Sequence, residues 1–463
     1  MLPFLKKEPF LIIVFTVLLL NGSTAFGQKI TAEQNYAMNS PGVVMLQTIF
    51  SATVYVNKVK MNERAFNRLV DSVRRLDTTR TILSPEQKLD MVIKALYSNP
   101  LRFFSGTDEY LMQEHRITST GTGFFITSNG YLITNCHVID RDSAFIRSKF
   151  ILSTYQEVTD ANIKALQSSW GMTFTEEQKN LLYNTYGFVY SQVSSMILFD
   201  LKKEINILYR VDGENGKTIQ VTKQAQVISK GQPMPGKDVA LLKIEDGHDL
   251  PSLSISKDSI PKVGGQILVF GYPEPVTGNS FLATEAGIEP TLTSGIISAI
   301  KKSVGGWPVI QMDAMISHGS SGSPVCDEKG EVIGLTTFGS LEQGTGELAS
   351  GFNFAIPVSV IKEFLAAAHL HPEPAKASIL FNAGLDFFYN ADYSKALNKF
   401  EEVKKINSSY PQLNYYILQC RSKIAEGREK QSHSLEYNFW IVAAIILLAG
   451  GYILYIRQKR RSV

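Results

Sequence analysis

The chain has 463 residues, of which 44% are hydrophobic, and a formal net charge of +3. That length allows more than one domain, and so near-neutral a balance makes no electrostatic case for nucleic acid as a partner. Cysteine is sparse and odd in number (Cys136, Cys326, Cys420), without the C-x-x-C spacing of a metal site, and no cofactor is called for.

The first segment, 1–27, reads as a signal peptide. Lys6 and Lys7 precede a short apolar stretch from Pro9 to Leu20, and Ala25-Phe26-Gly27 supplies small residues for cleavage before Gln28. An uncleaved anchor is the alternative. From 28 to 370 the pattern is one of short alternating or apolar runs broken by Gly, Pro and Asn turns, which points to an all-β core.

Two stretches interrupt that core. In the first, from about 61 to 115, Ser84-Pro85-Glu86-Gln87 combines an N-cap, a proline at the first helical position and a capping-box partner, so a helix starts there. In the second, from about 156 to 203, the capping box Thr175-Glu176-Glu177-Gln178 leads into Leu181, Leu182, Tyr186, Val189 and Tyr190 at helical spacing. Each helix has an apolar face that needs cover. It packs beside the β core, or it forms a lid or partner surface near a cleft.

Between and after these stretches lie three motifs. Tyr131-Leu132-Ile133-Thr134 reads as a short strand, with His137 where it ends. Asp238 opens the apolar run Val239-Ala240-Leu241-Leu242-Lys243-Ile244, which has strand length. Gly319-Ser320-Ser321-Gly322 reads as a tight turn, in which glycine tolerates backbone angles that aim consecutive N–H groups into one pocket. A further strand, Glu331 to Phe338, follows the turn Asp327 to Gly330.

A serine hydroxyl is a poor nucleophile at neutral pH. It needs a base, a carboxylate to orient that base, and backbone donors for the developing oxyanion. His137, Asp238 and Ser321 offer one candidate for each side-chain role in an informative order, and the N–H groups of Gly319 and Ser321 are the natural oxyanion donors. Taken singly, the three are an ordinary histidine, a strand-edge charge and a flexible loop. Together, each beside strand-like runs, they read as a catalytic triad. Cys136, next to His137, reads as a small buried apolar residue rather than a nucleophile.

At these positions the chain resembles the HtrA/Deg-like trypsin-like serine proteases of the chymotrypsin clan. The family's strand and turn motifs take the form here of Gly121-Thr122-Gly123-Phe124, Thr134-Asn135-Cys136-His137-Val138, Asp238 to Lys243 and Gly319 to Pro324. Ser320 and Ser323 stand where the family has Asn and Gly. The resemblance covers about 40–60 and 116–370. It implies a mainly β fold of two six-stranded barrels packed face to face, with His137 and Asp238 from the first and Ser321 from the second. It also implies hydrolysis of protein or peptide substrates through an acyl-enzyme. Met315, six residues before Ser321, would floor the specificity pocket, and Thr337, Phe338 and Gly339 would form the substrate-binding strand. An apolar Met315 predicts cleavage after medium apolar residues. No PDZ pattern follows. The alternative function is a catalytically weak adaptor or chaperone-like protein on a protease fold.

A linker spans 371–378, with His369 and His371 read as part of the domain edge rather than metal ligands. Within 379–428, Ala383, Gly384, Phe387, Ala396 and Phe400 fall on the pattern of one tetratricopeptide repeat, with Asp392-Tyr393 at the turn. A plain helical hairpin fits the same residues. One repeat cannot bury a stable core alone, so it must pack on the preceding domain, another copy or a partner. Finally, 439–456 is an apolar run long enough for a transmembrane helix, followed by basic Arg457 to Arg461. The expectation is a single-pass membrane protein with its catalytic domain outside the cytoplasm, periplasmic in a Gram-negative cell, and a cytoplasmic tail at 457–463.

Overall fold

A computed structural model of the chain describes residues 30–77, 82–193, 196–213, 217–258, 261–277, 281–282, 287–341, 348–430, 447–448 and 450–459. The expected signal peptide lies outside them. The described chain opens with helix α1 (Ala32–Asn39), capped by Thr31, whose hydroxyl accepts from the Gln34 N–H at 3.1 Å. Strand β1 (Val43–Met61) follows, then α2 (Glu63–Arg74), α3 (Pro85–Ser98), α4 (Pro100–Phe103), β2 (Phe104–Phe125), β3 (Tyr131–Thr134), α5 (Cys136–Ile139), α6 (Ser143–Trp170), α7 (Glu176–Val193), β4 (Ile197–Asp212), β5 (Thr218–Lys230) and β6 (Ala240–Ile244). The capping box expected at Ser84 is formed, with Gln87 and Ser84 bonding each other's backbone N–H groups.

The six strands close a barrel in the order β1-β2-β3-β6-β5-β4. Alternate residues such as Val44, Leu46, Phe125, Leu132 and Leu242 fill it. Strands β1 and β2 pair antiparallel from Val43↔Phe124 out to Met61↔Phe104. Globular strands usually run about 5–6 residues, so this 19- and 22-residue pair runs far past the barrel. Its far end carries a second apolar core. Ile93 and Leu96 of α3, Phe103 of α4, and Leu182, Tyr186 and Val189 of α7 meet Val56 of β1 and Phe104 of β2 there. Phe66 of α2 stacks on Trp170 of α6 at 5.1 Å. The two insertions thus cover one another's apolar faces.

The second barrel comprises β7 (Gln266–Gly271), β8 (Thr291–Lys302), β9 (Pro308–Met312), β10 (Pro324–Cys326), β11 (Val332–Leu341) and β12 (Leu348–Pro357), with the short helix α8 (Glu274–Thr277) after β7. Its order is β10-β11-β12-β9-β8-β7, and it closes through a thin seam in which Val325 and Cys326 oppose Val269 and Leu268. Helix α9 (Val358–Ala367) joins a core that spans both barrels, in which Phe124 and Leu241 meet Phe270, Leu335 and Ile361.

Helices α10 (Lys376–Tyr389), α11 (Tyr393–Ile406) and α12 (Leu413–Ala425) form a C-terminal helical module. Its centre is the aromatic group Phe381, Phe400 and Tyr416. Gly384 makes room for it, since a Cβ there would lie 2.5 Å from the Phe400 ring. The module docks on the preceding domain. Gln34 of α1 donates to Asp386 at 2.7 Å, and the N–H groups of Gln412 and Asn414 donate to Asp212 at 3.0 and 3.1 Å. Burial raises the Asp212 and Asp386 carboxyls above the ordinary range.

Two expectations need correction. The chain is mixed α/β rather than mainly β, because α6 and α7, the helices before β2 and the C-terminal module together hold as many residues as the strands. The second concerns 439–456. Among the described residues no helix is long and apolar enough to cross a membrane. Residues 431–446 and 449, which hold much of the expected span, lie outside the described set. The expected transmembrane helix, and the single-pass placement that followed from it, do not stand.

Candidate active site

His137 sits in the short helix α5, just past the end of β3. Asp238 lies two residues before β6, is fully buried, and reaches the same point from the neighbouring strand. Its Oδ1 accepts from the His137 backbone N–H at 2.8 Å, and its Oδ2 lies 2.6 Å from His137 Nδ1. The Thr337 hydroxyl donates to the same Oδ2 at 2.8 Å. A carboxylate offers only acceptors, so this contact suits the imidazole tautomer with its proton on Nδ1. Asn135 braces the arrangement by donating to the Asp238 carbonyl at 2.8 Å.

Ser321 lies in the turn before β10. It lines one cavity of about 760 Å³ together with His137, Gly319 and Thr337. Its hydroxyl donates to the Thr337 carbonyl at 3.2 Å. Gly319 and Gly322 have φ of +88° and +89°, a conformation that suits glycine. No side chain would fit at either position, since a Cβ would run into Tyr272 O at Gly319 and Thr122 O at Gly322. The His318 carbonyl is held by the Glu274 N–H at 2.6 Å. Among the described residues neither the Gly319 nor the Ser321 N–H has an intramolecular acceptor.

The two barrels meet at a residue the sequence reading passed over. Thr122 of β2 donates through its hydroxyl to Gly319 O at 2.8 Å, and its N–H donates to Ser321 O at 2.8 Å. The same hydroxyl accepts from the Tyr272 N–H at 2.9 Å. Thr336 braces the turn from the other side, donating to Ser320 O at 2.6 Å and accepting from the Ser323 N–H at 3.0 Å. The signal was available, because Thr122 is the middle residue of the Gly121-Thr122-Gly123 motif.

The remaining expected residues divide. Thr337 is at the centre of the site, bonding both Asp238 and Ser321. Phe338 and Gly339 continue its strand and pair with Phe354 and Asn353 of β12. The Met315 side chain is 73% exposed, its carbonyl accepts from the Thr293 hydroxyl at 3.0 Å, and its neighbour Ile316 lines the cavity instead. Cys136 is buried and free, donates to Gly231 O at 3.2 Å, and has its thiol pushed up to about 11, chiefly by desolvation. It therefore stays protonated at neutral pH.

Comparisons with known proteins find sequence similarity to trypsin-like peptidases. The trypsin-like peptidase domain matches residues 193–335. The serine protease HTR4 of Rattus norvegicus is 28% identical over 205 residues, 41% of this chain and 36% of that protein. A probable periplasmic serine endoprotease DegP-like of Pseudomonas fluorescens is 37% identical over 129 residues, 27% of this chain and 24% of its own. The serine endoprotease DegS of Escherichia coli is 30% identical over 132 residues, 28% of this chain and 34% of its own. Among solved structures, an HtrA-type protease with a decapeptide is 20% identical with a TM-score of 0.37, covering 74% of this chain and 68% of that one. The chain spans about a third of the length of the first curated relatives it matches. It carries a trypsin-like peptidase region with HtrA/Deg-like serine proteases among its relatives.

Proposed function

We propose that the chain is a serine endopeptidase in which Ser321 is the nucleophile, His137 the general base and acid, and Asp238 the orienting carboxylate. The observation that carries this reading is the His137–Asp238 pair facing the same cavity as Ser321. In turnover the Ser321 hydroxyl leaves the Thr337 carbonyl, gives its proton to His137 Nε2, and attacks the scissile carbonyl carbon. The oxyanion is taken by the N–H groups of Gly319 and Ser321, which have no intramolecular acceptor among the described residues. His137 then protonates the leaving amine, and water, deprotonated by the same imidazole, releases the acyl group. Apo enzymes commonly hold the nucleophile–base contact loosely and tighten it on substrate, in keeping with the Ser321–Thr337 bond. The hairpin of α10 and α11 is read as a single tetratricopeptide-like unit docked on its own protease domain.

The test is a fluorophosphonate probe on the purified chain, followed by mass spectrometry. One label on Ser321, abolished in Ser321→Ala together with peptidase activity, is the expected result. Removing such a nucleophile lowers turnover by about 10⁴-fold or more. A chain that takes no label, or takes it on Ser320 or Ser323, overturns the assignment.

A further inference from the structure

The cavity that holds His137 and Ser321 is not built by the barrels alone. One wall is the first half of α6, which belongs to the helical insertion. Phe145, Lys149 and Ser153 line the cavity at a spacing of four residues, the row that forms one ridge of a helix. The adjacent row of the helix anchors it, because Ile146, which also lines the cavity, and Phe150 are buried against Phe50, Ala52 and Val54 of β1. Asp142 caps the helix by accepting from the Ala144 N–H at 2.7 Å. The wall is therefore fixed relative to the site.

That wall is cationic. Arg141 and Lys149 both line the cavity. Arg141 donates to the Ser119 hydroxyl at 2.8 Å, and Lys149 lies 5.6 Å from the centre of the Phe145 ring. Among the described residues neither is within ion-pair distance of a carboxylate, although acids are close in sequence. Asp140 is taken by Lys203 and Lys230, and Asp142 by the helix N-terminus. The carboxylate lining the same cavity, Glu274, comes from α8 on the second barrel.

The side of the cut bond that this wall faces follows from the chemistry. The imidazole must hand its proton to the leaving amine, so the substrate residues after the cut run past His137. Arg141 is four residues beyond His137, and α6 follows directly. We infer that Arg141 and Lys149 select substrates carrying acidic side chains within the first residues after the cut bond. This inference rests on the serine-endopeptidase reading above.

The experiment uses the full chain and peptides identical except for Glu, Gln or Lys at each of the first three positions after the cut, with the cut site checked by mass spectrometry. Exposed ion pairs in water correspond to about two- to fivefold each, so the Glu peptide should exceed the Gln peptide several-fold in kcat/KM, through KM. The preference should shrink as ionic strength rises from about 0.05 M to about 1 M. Arg141→Glu combined with Lys149→Glu should reverse the order of Glu and Lys peptides. If that double variant does not fold, Lys149→Gln with an unchanged circular dichroism spectrum should flatten the preference, and a preference left intact overturns the inference. Equal rates for all three peptides, in a protein that turns over and labels at Ser321, overturn the inference and leave the endopeptidase reading standing. No label at Ser321 overturns the endopeptidase reading itself, and the inference with it.

Discussion

In the first barrel β1, β2 and β4 run 19, 22 and 16 residues, while in the second β7, β9 and β10 run 6, 5 and 3. Of these, β1 and β2 leave the closure of the first barrel and become the floor of a separate helical core. The short strands of the second end in turns, and one of those turns holds Ser321. Extra mass has accumulated on the barrel that supplies His137 and Asp238. That barrel also touches the C-terminal module through Asp212 and Ser252. The difference separates two kinds of dependence: the second barrel is sensitive to backbone conformation in one turn, the first to apolar packing far from the site.

The largest effect should come from that turn. Gly322→Ala places a methyl group against the Thr122 carbonyl at a residue with φ of +89°. Neither backbone can move without disturbing the Thr122 N–H bond to Ser321 O. A misplacement of about 1 Å in a catalytic group lowers turnover by about 100-fold, and strain of this kind adds about 1–3 kcal/mol of destabilisation. Peptidase assays and thermal melts on the same preparation separate the two. Near-normal turnover in a folded variant would show that the turn is not the controlling geometry.

Ile93→Ala probes the other side of the comparison. Ile93 is fully buried in the helical core, on α3. Such a truncation destabilises by about 2–5 kcal/mol, and here the loss should fall on the insertion. Hydrogen exchange should rise across α2, α3 and α7 and stay low in β7 to β12. Turnover should fall less than in Gly322→Ala, through the α6 wall. Uniform loosening of both barrels would mean that the two cores are one cooperative unit.

What could be read from residues alone follows the range of the interactions involved. The motifs at His137, Asp238 and Ser321 are local, and so are the capping boxes at Ser84 and Thr175, both of which form. Helix α6 was invisible over 143–155 because Phe145, Ile146, Phe150 and Ile151 also suit a strand. Its boundaries were nonetheless marked, by Asp142 as N-cap and by Gly171 in the left-handed conformation that ends it. Reading that helix would have corrected the mainly β expectation. No sequence pattern links Val56, Ile93 and Leu182, because only the overrun of β1 and β2 brings them together. The apolar run at 439–456 shows the opposite failure, where composition sufficed for an expectation that the described helices do not meet.

The smallest predicted effect sharpens the account of the turn. Ser323 stands where the resembled family has glycine, and its hydroxyl is buried with no hydrogen-bond partner among the described residues. It occupies the space over Gly271, where a Cβ would collide with it. The contacts that shape the turn at this residue are made by its backbone: the N–H bonds Thr336 Oγ1 at 3.0 Å and Ser320 O at 3.1 Å, and the carbonyl accepts from the Thr336 N–H at 2.9 Å. An unpaired buried hydroxyl costs about 1–3 kcal/mol, offset in part by the contacts its oxygen makes. Ser323→Ala should therefore leave turnover unchanged and raise stability by about 1 kcal/mol, a shift of about 2 °C in Tm for a domain of this size. Differential scanning calorimetry with a parallel peptidase assay measures both. A lower Tm would show that the hydroxyl has a partner, and a lower kcat that the turn depends on this side chain as well as on its backbone and the two threonines that brace it.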